Sequence, residues 1–280
     1  MQFHSLLPPK EFIEAAFAHA RKQAVMKRVR ASAIQHRKMK ATRKMELFVE
    51  YLDKQLEFAL QSVPRFDELH AFYQELLPET VEITKLKQSM SQMVSVRKLL
   101  KKQLMIAKRG MHSPASDALP HMHRVSASFF GRSASIVKSL DKSISILNEA
   151  NRLVKEVPDI RTDIPTVIFA GYPNVGKSTL LNKVTGSKAK VASYPFTTKS
   201  IQLGYFTMRY RDVQAIDTPG LLDRAQTEYS PIEKKAIAAL THLATAIVFV
   251  IDPTSSAGYT LEKQYGLYDR IKQRFAHVPF

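Results

Sequence analysis

The sequence predicts two halves of different architecture: an antiparallel helical bundle over residues 1–160, then an α/β domain with a mostly parallel sheet over residues 161–280. Three observations predict it. Of the nine glycines only Gly110 and Gly131 fall in the first half. Long runs of Ala, Leu, Met, Gln, Lys and Glu fill that half, and these residues favour helix. After residue 160, short β-branched runs alternate with glycine turns, as α/β proteins do.

The elements follow in order. Pro8 and Pro9 open a helix in which Phe12, Ala15, Ala16, His19 and Ala20 recur at helical spacing. Met45, Phe48, Leu52, Leu56 and Ala59 mark one face of a second helix that Pro64 ends. A short piece is expected around residues 66–76, and Pro78 is expected to start a long helix reaching about Arg109, ended by Gly110 and Pro114. Ser116 or Asp117 is a candidate cap for a last helix over 125–156, with Ile136, Leu140, Ile144 and Leu147 along one side. Amphipathic helices joined by short turns pack as an antiparallel bundle. In the second half, residues 166–170 read as a buried strand, 201–206 with 213–216 as a hairpin, and 246–251 as a further buried strand.

Composition excludes several classes. There is no Cys, hence no disulfide framework, thiolate metal site or Cys nucleophile. The longest apolar run, residues 246–251, is far shorter than the roughly 20 residues of a spanning helix. No charged segment followed by an apolar one marks a leader. These features predict a cytoplasmic chain with no membrane partner, and the lack of a heptad seam predicts a monomer. Lys and Arg number 42 against 25 Asp and Glu, a formal charge of +17. The densest charge lies in residues 21–44, where Arg21, Lys22, Lys27, Arg28, Arg30, Arg37, Lys38, Lys40, Arg43 and Lys44 occur without a single acid. A solvated helix face normally interleaves both signs, so the acid-free run favours RNA or another polyanion. A second cluster, Arg97, Lys98, Lys101, Lys102, Lys108 and Arg109, either continues this patch or is ordinary helix charge. His112, His121 and His123 read as polar surface residues, since no Cys or acidic partner completes a metal set. Met90, Met93 and Met105 read as core filler.

The chemistry concentrates after the strand at 166–170. Gly171-Tyr172-Pro173-Asn174-Val175-Gly176-Lys177-Ser178-Thr179 is the GxxxxGK[ST] pattern between a strand and a helix, the context that pattern requires. Its glycines let backbone amides wrap phosphate oxygens at a helix N-terminus. Lys177 adds a point charge for the β/γ-phosphates and the Ser178 hydroxyl suits Mg²⁺. Asp217 ends a strand about forty residues on and opens Asp217-Thr218-Pro219-Gly220, an acid placed for the metal side. Tyr194-Pro195-Phe196-Thr197-Thr198 lies between them, a segment whose Thr is suited to close over Mg²⁺. Together these define a P-loop nucleotide-binding domain.

The string GYPNVGKST, with YPFTT and DTPG, resembles the Obg-like GTPases. The basic helical half and residues 252–264, DPTSSAGYTLEKQ, resemble more narrowly the NOG-type nucleolar GTP-binding family, and the length resembles its archaeal form. The resemblance implies a GTPase acting in large ribosomal subunit assembly, binding GTP/GDP and contacting rRNA through the basic helices. It implies that Asn174, Val175, Gly176, Lys177, Ser178 and Thr179 line the phosphates and that Gly220 meets the γ-phosphate. Ser178 and Thr198 would ligate Mg²⁺, with Asp217 holding it through water, and Asn174 would suit an accelerating K⁺. Leu221 stands where many signalling GTPases carry a water-orienting Gln, so no catalytic side chain is assigned and slow intrinsic hydrolysis is expected. The family's base-reading Asn-Lys-x-Asp motif is absent from these 280 residues, which predicts a GTPase domain incomplete at its C-terminus. That leaves two other readings: a non-catalytic RNA-binding scaffold with an inert nucleotide domain, and a P-loop ATPase or kinase, against which YPFTT and DTPG speak.

Overall fold

A computed structural model describes residues 2–24, 32–113, 119–157, 160–186, 189–193, 200–219, 221–222 and 230–280. The described residues cluster into two compact units: Gln2–Pro64 with Glu82–Arg152, and Arg65–Val81 with Leu153–Phe280.

The first unit is the helical bundle. Pro9 sits in the first turn of α1 (Pro9–Gln23), where its missing N–H costs nothing. Ser32 caps α2 (Ala33–Ser62) through a reciprocal capping box with Gln35. Met45, Phe48, Leu52, Leu56 and Ala59 are all fully buried, as their spacing predicts. Phe48 lies within an aromatic cluster, its ring centroid 4.8 Å from Phe17, 5.4 Å from Phe130 and 6.3 Å from Phe129. α4 (Ile83–His112) packs along α2 and buries Leu86, Met93, Val96 and Leu100. Among the methionines, Met93 is buried but Met105 is 56% exposed, so Met105 is not core filler.

Three helix boundaries differ from expectation, each for a physical reason. Pro78 does not start α4; it lies in the last turn of α3 (Ala71–Thr80), where its ring forfeits only the partner of the Gln74 carbonyl. Gly110 does not stop α4. It is a notch in which a Cβ would stand 3.3 Å from a Val125 methyl, so it lets α5 (Leu119–Lys138) approach closely. The helix expected over 125–156 breaks into α5 and α6 (Asp141–Glu156). The Ser139 hydroxyl turns back to the Ile136 carbonyl at 2.7 Å, and the Ser139 carbonyl accepts from Gln92 Nε2 at 2.8 Å. Such local side-chain bonds compete with the helix ladder. Asn148 and Asn151 of α6 then hold the N-terminal segment, accepting from the Leu6 and Phe3 amides. Ser116 and Asp117 lie outside the described residues.

The second unit carries a five-stranded sheet of order β2-β3-β4-β1-β5. β1 (Thr166–Ala170) lies between β4 (Arg211–Asp217) and β5 (Ala246–Phe249), parallel to both. β3 (Ser200–Met208) joins β4 in the expected antiparallel hairpin, and β2 (Lys190–Ser193) pairs antiparallel on its far edge. α7 (Lys177–Val184) follows β1 and buries Leu181 against Phe169 and Ala215. α8 (Pro231–Leu243) and α9 (Leu261–Arg274) are capped by Ser230 and Thr260. α3 belongs to this unit and packs on α8. Buried Tyr73 anchors it, donating to the Ile160 carbonyl at 2.9 Å and accepting from the Ile160 amide at 3.2 Å, while Lys235 pairs with Glu79. No described helix is long and apolar enough to cross a membrane.

Candidate nucleotide site

The site forms where β1 and β4 end side by side. Their parallel register sets Phe169 opposite Asp217, so the acid stands next to the loop that leaves β1. That loop begins at Gly171, with φ +140°, so close to β5 that a Cβ would lie 2.6 Å from the Val250 carbonyl oxygen. Only glycine fits there. Asn174 takes a left-handed φ of 64°. Gly176 follows at φ 98° as the N-cap of α7, and a Cβ there would meet nothing within 4 Å.

The described helices differ in how they begin, and α1, α4 and α7 start without a side-chain cap. Ser32, Ser230 and Thr260 turn their own oxygens onto the first amides of α2, α8 and α9. Gly176 has no side chain to offer, so α7 presents a helix start without a side-chain cap beside open space. An anion is the natural partner of such a terminus. Val175 and the half-buried Ser178 border the turn, and Thr179 is exposed in the first turn of α7. Lys177 is only 7% exposed, and its ammonium donates to the Tyr172 carbonyl at 2.7 Å, which holds the side chain along the loop.

Ser178 Oγ donates to Asp217 Oδ2 at 2.5 Å, and Asp217 is fully buried. A hydroxyl and a carboxylate are the hard oxygen donors that Mg²⁺ takes alongside phosphate and water, so the donor set fits that ion. Thr218 is 1% exposed, and its buried hydroxyl has no hydrogen-bond partner among the described residues. Leu221 is fully buried, its amide donating to the Thr218 carbonyl at 3.1 Å. Its side chain therefore serves the core. Thr198 and Gly220 lie outside the described residues.

The basic residues of the bundle divide. On α2, Arg37, Lys40 and Arg43 are exposed. On α4, Arg97 donates to Asp53 at 2.7 Å and reaches Glu57 at 3.1 Å, Lys101 reaches Asp53 at 2.8 Å, and Lys108 pairs with Glu46 at 2.6 Å. Burial alone would raise the Asp53 pKa, but the hydrogen bonds from Arg97 and Lys101 outweigh it and hold the carboxyl below its usual range. Arg97, Lys101 and Lys108 are thus part of the α2–α4 packing, while Lys98, Lys102 and Arg109 stay exposed. No metal cluster of His and acidic residues occurs among the described residues. His112 and His121 instead meet the Lys108 and Gly110 carbonyls.

Comparison with known proteins matches residues 3–161 to the NOG1 N-terminal helical domain and residues 166–277 to the 50S ribosome-binding GTPase domain. An uncharacterized protein of Methanocaldococcus jannaschii is 38% identical over 79% of this chain and 61% of its own length. Nucleolar GTP-binding protein 1 of Drosophila melanogaster is 29% identical over 97% of this chain and 41% of its own. The Saccharomyces cerevisiae protein of that name is 33% identical over 84% and 36%. The chain therefore spans about three fifths of the first relative and about two fifths of the others. Their names correct the expected cytoplasmic location, since these eukaryotic relatives are nucleolar proteins by name.

Proposed function

The chain belongs to the NOG1 family, and from that premise we propose that it is a GTP-binding, GTP-hydrolysing switch that acts in large ribosomal subunit assembly and contacts rRNA through its basic helices. The observation that carries the reading is the meeting of Ser178 with Asp217 beside the uncapped start of α7. A helix start open to an anion and an acid at the adjacent strand end support a phosphate site with a metal beside it over a generic anion site.

In this reading the loop residues Asn174, Val175, Gly176, Lys177, Ser178 and Thr179 surround the phosphates, with the Lys177 ammonium on the β/γ oxygens. Ser178 and Thr198 would hold Mg²⁺, with Asp217 holding it through water. There the ion would supply positive charge against the charge that develops on the phosphate oxygens. The Gly220 amide would meet the γ-phosphate and lose that contact on hydrolysis. Buried Leu221 cannot orient water, and the chain's own turnover is slow until K⁺ near Asn174 or a ribosomal partner raises it. The matched domain's description as a 50S ribosome-binding GTPase supports the ribosomal half of the reading.

The RNA half has a direct test. Arg37, Lys40 and Arg43 are exposed on α2, with Arg43 reaching Glu46 at 3.5 Å. Replacing all three with Glu is expected to weaken binding to structured rRNA uniformly across sequences. The log–log salt slope should also become shallower by roughly 2–3 units, at about 0.7–0.9 per phosphate contact removed. An unchanged slope in a filter-binding titration at several salt concentrations would take rRNA binding away from α2.

A further inference from the structure

Residues 252–264 have no part in the phosphate chemistry described so far, yet the structure ties Asp252, Thr254, Ser256, Tyr259 and Gln264 of that string into one framework. Asp252 follows β5 and its carboxylate accepts from the Thr254 amide at 2.9 Å, the Thr254 hydroxyl at 2.6 Å, the Ser256 hydroxyl at 3.0 Å and the Ala257 amide at 2.8 Å. These bonds, the Thr254 hydroxyl first among them, lower its pKa to about 2, so the carboxylate stays ionised and the turn stays closed at any physiological pH. Gln264, 1% exposed on α9, spans the loop from the other side. Its Nε2 donates to the Asp252 and Tyr259 carbonyls, each at 2.9 Å, and its Oε1 accepts from the Asp252 amide at 2.8 Å.

This framework delivers one side chain to the phosphate loop. The Tyr259 ring lies flat on that of Tyr172, with centroids 4.0 Å apart and planes 22° apart. Tyr172 is the second residue of the loop, and its carbonyl is the acceptor for Lys177 Nζ. The loop is thereby gripped at two points. Gly171 abuts the Val250 carbonyl, and the Val250 amide donates to the Ala170 carbonyl at 2.8 Å, which ties β5 to the loop's entry. The stacked rings tie the next residue to the β5–α9 loop.

We infer that Tyr259 is a positioning residue for the phosphate cradle: by stacking on Tyr172 it keeps the loop in its nucleotide-ready form before a nucleotide arrives. The inference rests on the nucleotide reading above and adds to it a residue outside the GxxxxGK[ST] pattern. A loop that is competent only part of the time binds with an affinity reduced by that fraction. The loss then falls on association, and it falls equally on every ligand that uses the cradle.

The test measures association and dissociation of fluorescent GDP and of a fluorescent non-hydrolysable GTP analogue with the full chain and Mg²⁺. Tyr259→Phe should bind as the unaltered chain does. Tyr259→Leu should bind both nucleotides about three- to tenfold more weakly, the range an aromatic pair supports, with association slowed and dissociation unchanged. Tyr172→Leu should cause a similar loss, and the double variant should lose little more, because both act through one contact. Unchanged affinity in Tyr259→Leu overturns the inference, as does a loss shared by Tyr259→Phe, a loss carried by dissociation, or additive losses in the double variant. A Lys177→Ala chain read in parallel separates the two claims. If the unaltered chain binds neither nucleotide, the nucleotide reading falls and this inference with it. Binding that depends on Lys177 but not on Tyr259 removes the inference alone.

Discussion

Replacing Lys177 with Ala is expected to weaken Mg²⁺-dependent binding of GTP and GDP by about 100-fold or more. A hydrogen bond from a charged group contributes about 1.5–3 kcal/mol, every 1.4 kcal/mol is tenfold in affinity, and this ammonium addresses two phosphates in the proposed complex. The nearly buried side chain donates to the Tyr172 carbonyl, so shortening it also removes a bond that holds the loop. The fold should survive, because the packing beneath the loop is made by Phe169, Leu181 and Ala215. Calorimetric titration of the variant beside the unaltered chain reads the effect, with circular dichroism to establish that it is folded. Loss of less than about fivefold would place the phosphates away from Lys177.

The second large effect belongs to stability. Phe48→Ala should destabilise the bundle by about 3–5 kcal/mol, the cost of removing a buried aromatic side chain and leaving a cavity. Phe48 is fully buried, and three other rings, those of Phe17, Phe129 and Phe130, close around it, so little can relax into the space. The bundle and the sheet-bearing unit are separate clusters, and chains of several domains depart from two-state unfolding. The useful readout is therefore the bundle's own urea transition, followed by hydrogen exchange in α2. A shift below about 1 kcal/mol would mean that the aromatic cluster is loosely packed.

Residue spacing made much of this legible. Met45, Phe48, Leu52, Leu56 and Ala59 announce the buried face of α2, and the GxxxxGK[ST] string with its flanks announces β1, the loop and α7. The helix-rich region and the mixed sheet after it follow from glycine distribution and β-branched runs, but the clustering of α3 with the sheet-bearing unit does not. Local signals failed where tertiary contact overrode them. Pro78 and Gly110 look like punctuation, but one is absorbed by a last turn and the other makes room for Val125. Ser139 splits a helix whose apolar pattern runs on without a break, because its carbonyl serves Gln92 rather than the ladder. The short β2 strand has too few residues to show a period. At the site, the Ser178–Asp217 pair could be expected from strand-end positions, whereas the Tyr172–Tyr259 stack could not. It joins residues 87 positions apart, and only the fold of residues 252–264 shows that one ring faces the other.

The most direct test of the central claim is a titration of the full chain with fluorescent GTP, GDP and ATP analogues in the presence of Mg²⁺. The account predicts binding of both guanine nucleotides and loss of binding when Mg²⁺ is removed from the GTP titration. Equal binding of GTP and ATP would mean that the cradle holds phosphates while the base goes unread. No binding of any nucleotide would contradict the switch outright and leave the basic helices as the working part of the chain.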